Sequence, residues 1–168
     1  MKIILLPVFF FVSLCAGAQG RYAGPLLKKI INTSFTDTKK IPALKGYEFR
    51  EGSVVSDIKD PKTITVDVFQ KGIIAIVFFS LETDTAKKIY TILDVLEVRN
   101  VMKGWEVRTA LCRMNKKEDT NIIALAKQSK KEDDYLTEIK QAWRFDRNKK
   151  LLEAIPVKGV DCFNEGGD

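Results

Sequence analysis

The sequence predicts a mainly β fold: an antiparallel sandwich or strongly bent sheet of about seven strands with a short N-terminal helix. Three observations lead there. From residue 64 onward, apolar and polar residues alternate in short runs, the period of a half-buried strand. Polar, lysine-rich turns separate these runs at short spacing, without the long helical segments that connect parallel strands. The run "IIAIVFFS" at 73–80 is apolar on both faces, as a central strand covered on both sides must be.

The chain opens with "MKIILLPVFFFVSLCAGA". Lys2 supplies a positive start, and Ile3 to Leu14 form an uncharged run too short for the roughly 20 residues of a membrane-spanning helix. Ala16-Gly17-Ala18 places small residues at both pocket positions of an A-x-A cleavage site. Residues 1–18 therefore read as a secretory signal peptide, and residues 19–168 as a single exported β-rich domain, periplasmic or extracellular. The alternative is a lipid anchor through Cys15, which would want a small residue directly before it, where Leu14 stands. The longest later apolar stretch, 72–81, has half the length of a spanning helix, so no transmembrane helix is expected in the mature chain.

Near the start of the mature chain stands "GPLLKKIINTS" at 24–34, where Pro25 suits a first helical position and Leu26, Leu27, Ile30 and Ile31 share a face at helical spacing. A helix over about 25–32 is expected. Residues 33–62 are a weakly patterned connection with isolated apolar residues such as Ile41, Leu44, Tyr47 and Phe49, and one short strand near "YEFRE". In "TITVDVF", Ile64, Val66 and Val68 alternate with Thr65, Asp67 and Phe69, and Gln70-Lys71-Gly72 then turns into the central strand. "KKIYTILDVLEVRN" is ambiguous. Its β-branched residues favour a strand, with Tyr90, Ile92, Leu96 and Val98 on one face and Asp94 the exception; the alternative is an α+β fold with residues 88–98 helical. Further strands are expected at "WEVRTALCRM", "NIIALAKQ", "YLTEIKQAWRFD" and "LLEAIPV". In the third of these, Tyr135, Ile139, Trp143 and Phe145 share parity.

Cleavage after Ala18 removes Cys15 and leaves Cys112 and Cys162, an even count in an oxidising compartment, which reads as one disulfide. A reactive pair would want a C-x-x-C spacing or a histidine to lower a thiol pKa, and the chain has neither. The segment "KQAWRFDRNKKLLEAIPVKGVDCFNEGG" resembles the endings of small exported bacterial proteins of uncharacterised function. Those endings carry K-x-A-W-R, a hairpin, and K-G-x-x-C-x-N-E-G. The matching residues here are Lys140, Ala142, Trp143, Arg144, Lys158, Gly159, Cys162, Asn164, Glu165 and Gly166. The resemblance covers the C-terminal third and implies export and paired cysteines, with no activity attached.

The chain contains no histidine, which removes Ser-His-Asp and Cys-His catalysis and histidine-bearing metal sites. The phosphate-cradling and nucleophile-elbow glycine motifs are also missing, and no metal or cofactor is expected. What remains for an enzyme is a carboxylate-only hydrolase built on Asp67 and Asp94, each interrupting an apolar strand. Set against that, a lone Asp in an alternating strand belongs on its solvated face. The formal charge of +6 falls to +5 without Lys2 and is dispersed over lysine doublets in turns. It is read as solvation and edge protection, with an anionic envelope polymer as the functional alternative and no nucleic-acid partner expected in that compartment. Trp105, Trp143, Phe145 and Phe163 are expected in the core, the alternative being an aromatic binding platform with Trp143, Arg144 and Phe163 as its candidates. The expected function is a non-enzymatic exported binding protein for an envelope component or partner protein. A hydrolase and a structural envelope part are the alternatives.

Overall fold

A computed structural model of the chain describes residues 21–55, 62–129 and 134–165. The expected signal segment, Cys15, Gly166 and the doublet at 130–131 lie outside these residues. Among the described residues, no helix is long and apolar enough to cross a membrane.

The fold is mostly β, and every strand pair is antiparallel. After a single helical turn α1 (Pro25–Lys28), the chain forms β1 (Ser34–Phe35), two 3-10 turns (Thr38–Lys40 and Pro42–Leu44) and β2 (Glu48–Val54). The long strands β3 (Ile64–Lys71), β4 (Ile74–Asp84) and β5 (Ile89–Arg99) follow. Next come β6 (Trp105–Thr109), β7 (Cys112–Met114), β8 (Lys117–Glu118) and β9 (Ile122–Lys127). The chain closes with β10 (Tyr135–Leu136), β11 (Ile139–Asp146), β12 (Leu151–Ala154) and β13 (Val160–Phe163). They build a five-stranded sheet in the order β1-β5-β4-β3-β2 and two four-stranded sheets, β12-β11-β9-β6 and β10-β13-β7-β8.

β4 is the central strand that its two-faced apolarity predicts, with Ala75 to Ser80 all buried. It is reached from β3 by a two-residue turn in which Gly72 takes φ 57°, and Lys71 pairs with Ile74. A glycine at the first central position is what a type II′ hairpin requires, because its twist matches that of the flanking strands. The ambiguous segment is strand β5, and the helical alternative for 88–98 is overturned.

The sheets stack in layers. The inner face of the five-stranded sheet packs Val66, Val77, Phe79 and Leu96 against Val107, Leu125, Trp143 and Phe145 of the second sheet. Phe79 and Phe145 stack across that interface with ring centroids 4.2 Å apart. The far face of the second sheet packs Ile122, Ala124 and Ala142 against Cys112, Val160 and Cys162 of the third. On the outer face of the first sheet, Leu27, Ile30, Ile41 and Leu44 of the N-terminal segment cover Phe69, Ile76, Phe78 and Val95.

Carboxylates bind both seams of the inner sandwich. Asp94 is 1% exposed; one of its oxygens accepts the Val95 N–H at 2.9 Å and the other the Leu152 N–H of β12 at 2.7 Å. On the opposite seam, Glu51 of β2 accepts a hydrogen bond from the Thr109 hydroxyl of β6. Burial pushes the Glu51 carboxyl above its ordinary pKa, partly offset by that hydrogen bond and by the Arg108 guanidinium. The expectation that Asp94 lies on a solvated face is therefore corrected. A bulge opposite Phe79 and Ser80 turns it inward together with Leu93. The same bulge splits the expected face of β5, so that Leu96 and Val98 point into the inner core while Ile92 points outward.

Three further expectations change. The helix stops at Lys28 instead of running to 32, because Asn32 turns left-handed at φ 63° and donates its N–H to Ile92 of β5, which captures the chain. Leu26 is consequently 72% exposed. "WEVRTALCRM" is two strands in different sheets, cut where Ala110 takes φ 57°. A bulge between Ile139 and Gln141 reverses the parity of β11, placing Ile139 beside the outer cluster and Trp143 and Phe145 in the inner one.

Candidate functional site

The N-terminal cover ends short of one corner of the first sheet, and a pocket of about 500 Å³ opens there. That volume lies within the range of small-molecule sites, about 300–1,000 Å³. Its floor is the pair Gly52 and Asp67, directly opposite each other on β2 and β3. Its walls are Phe49 of β2, Tyr90 of β5 and the strap Phe35–Thr38.

Each part has a local cause. Asp67 pairs with Phe78, so it shares the outer face, where alternation sends the side chain away from the inner core. Gly52 makes room for it: a Cβ there would sit 2.7 Å from Asp67 Oδ1 and 3.2 Å from the Phe49 ring. A glycine inside a strand marks such a close approach. Phe35 is delivered by its pairing with Tyr90, and their rings stack at 5.9 Å and 27°. Phe35 also meets Phe78 edge-on at 5.9 Å, and Phe49 meets Phe69 edge-on at 5.4 Å, so the walls rest on core rings. The strap is held by a hydroxyl pair between Ser34 and Thr91 at 2.8 Å and by Asp37, whose Oδ1 accepts the Lys39 N–H at 2.9 Å.

The electrostatics centre on Asp67. Burial alone pushes its carboxyl up from 3.8 to about 6. No hydrogen bond or ion pair joins it to any other group among the described residues, in contrast to Asp94 with both oxygens engaged. The Tyr90 phenol is raised by burial first, then by the negative charges of Glu82 and Asp67 and a hydrogen bond with Glu82. On the same face, opposite Thr65 of the pocket wall, the buried Ser80 hydroxyl also has no hydrogen-bond partner among the described residues. No three acidic or cysteine side chains converge as metal ligands among the described residues.

The residues singled out in the sequence are dispersed. Asp67 and Asp94 face opposite sides of one sheet, because their partners Phe78 and Phe79 are consecutive on β4. They do not form a carboxylate pair. Trp143 is 7% exposed within the inner core. Arg144 pairs with Asp119 at 2.8 Å on the second sheet. Phe163 is partly exposed on the third sheet, edge-on to Tyr135 at 5.8 Å, while its carbonyl accepts from Arg108 at 2.9 Å. These three share no cavity, and no aromatic platform assembles from them. Cys112 and Cys162 are bonded, directly opposed on β7 and β13 with Cα atoms 3.9 Å apart.

Comparison of the chain with protein-family models, with curated proteins and with solved structures found no match. The site therefore rests on its own geometry. Sequence reasoning missed Phe35, Phe49, Gly52 and Tyr90 as its walls and floor. The available signal was two phenylalanines and a glycine inside a connection too polar to need them for a core of its own.

Proposed function

We propose that the protein is an exported, non-enzymatic binding protein that takes a small ligand, an envelope component, into the pocket over Asp67. The observation that carries this reading is a half-enclosed carboxylate, without a hydrogen-bond or ion-pair partner among the described residues, at the base of an aromatic-walled cavity. An ionised group removed from water without compensation is costly, and a site that keeps one is suited to recoup that cost from a ligand. The buried bridge between Cys112 and Cys162 supports export, since such bonds persist in oxidising compartments. The separation of Asp67 and Asp94 onto opposite faces weighs against hydrolysis by that pair.

The test is an NMR titration of the isotope-labelled protein, residues 19–168, with the small-molecule fraction of an envelope extract. Amide shifts are expected at Phe35, Gly52, Asp67 and Tyr90, and they should vanish in Phe49→Ala, whose exposed ring can be removed without opening the core. Shifts confined to other surfaces, or none, would refute the reading.

A further inference from the structure

Given that the pocket is a ligand site, the reading on which this step rests, we propose that it selects a small organic ammonium ion with an apolar body. The cationic group sits against the Asp67 carboxylate, and the body lies between Phe49 and the Phe35–Tyr90 pair.

Charge is the first argument. The chain carries a formal charge of +6, yet the described residues of the pocket lining hold two carboxylates, Asp37 and Asp67, and neither lysine nor arginine. In a basic protein, the charge of this lining is acidic among the described residues and so favours a cation. The second argument is the vacant acceptor capacity of Asp67. Asp37 spends one oxygen on the Lys39 N–H, whereas no hydrogen bond or ion pair holds Asp67 among the described residues. Ring faces supply the third, because the negative face of an aromatic ring attracts an ammonium group held within about 6 Å of it.

Other ligand classes fit less well. A hard metal ion wants six or more oxygen donors, and no group of three ligating side chains gathers among the described residues. An anion would meet two carboxylates. A neutral ligand leaves the Asp67 charge uncompensated at neutral pH.

The inference carries a pH dependence whose sign is fixed by the groups around Asp67. The strap brings Asp37, β5 brings Tyr90 with Glu82 of β4 directly opposite it, and the described residues of β2 in the lining carry no charge. Among the described residues every ionisable group in the lining is acidic, so none of these holds the carboxylate ionised as pH falls. With a midpoint at about 6, the ionised fraction drops about tenfold between pH 7.5 and pH 5. Affinity for the cation should drop with it.

The experiment titrates the labelled protein, residues 19–168, with phenethylammonium, 2-phenylethanol and phenylacetate, following the pocket amides. Phenethylammonium is expected to bind at pH 7.5 at least tenfold more tightly than the alcohol, with phenylacetate weakest. Its binding should weaken about tenfold at pH 5, and Asp67→Asn should abolish the preference while leaving the remaining spectrum in place. Equal or tighter binding of the alcohol or phenylacetate at the pocket would overturn the ammonium assignment and leave the pocket reading intact. Absence of any shift with all three would overturn the assignment too, while the extract titration decides the pocket separately. A lysine-bearing tetrapeptide that binds where phenethylammonium does not would overturn the small-molecule assignment.

Discussion

Asp67 and Asp94 show how much a single pairing decides. Both interrupt apolar strands, and both read in the sequence as residues of solvated faces, with a catalytic pair as the alternative. Asp94 is turned inward by a bulge and satisfies two backbone N–H groups, one of them across the seam at Leu152. Asp94→Ala should therefore cost about 2–4 kcal/mol, since it leaves two buried donors unpaired. Urea unfolding of the variant measures it. Asp67 behaves in the opposite way. Its native midpoint of about 6 lies above the ordinary 3.8, so between these values the native state holds a proton that the unfolded chain has lost. Stability then declines as pH rises through that window, and the full penalty is present above it. Asp67→Asn should raise stability by roughly 1–3 kcal/mol at pH 8 and by almost nothing at pH 3, read from urea midpoints at the two values. Neither fate is legible in the sequence, because no local pattern announces a bulge or says which face a neighbouring sheet will cover.

Among elements, the strands with strict alternation or continuous apolarity, β3 and β4, are the ones whose sequences declare them. β5 and β11 are harder to read, because one extra residue in each moves part of the strand to the other face. Trp143 illustrates the result: it lies in the inner core beside Phe145 but not with Ile139. Trp143→Ala should cost about 3–5 kcal/mol, with native fluorescence of Trp143 shielded from iodide. An unchanged melting temperature in that variant would contradict its core position. β13 is a strand that the turn-rich tail sequence barely suggests, and the disulfide to β7 explains why so short a strand holds. Closing a loop over a separation of 50 residues removes roughly 4 kcal/mol of unfolded-state entropy in the chain-entropy account. Cys112→Ser should destabilise by about 2–4 kcal/mol, and denatured wild-type protein should show free thiols only after reduction.

At the scale of the molecule, the covered first sheet, the inner sandwich and the third sheet form one stack, and the pocket exists because the N-terminal cover stops short of one corner. Periodicity made the antiparallel β class legible. The stacking order was not, because it depends on which outer faces find partners, and segments such as "LLKKIIN" and "GVDCF" are too short to declare theirs. The proposed export predicts that the intact mass of secreted protein corresponds to a chain beginning at Gln19. The central claim is that a desolvated Asp67 carboxylate, unpartnered among the described residues, is the cation-binding group at the base of the pocket. It is tested most directly by titrating the Asp67 side-chain carboxyl by carbon-13 NMR, in the free protein and with saturating phenethylammonium. The account predicts a midpoint of about 6 in the free protein, moving down when the cation is bound. A midpoint near the ordinary 3.8 that phenethylammonium leaves unmoved would contradict it.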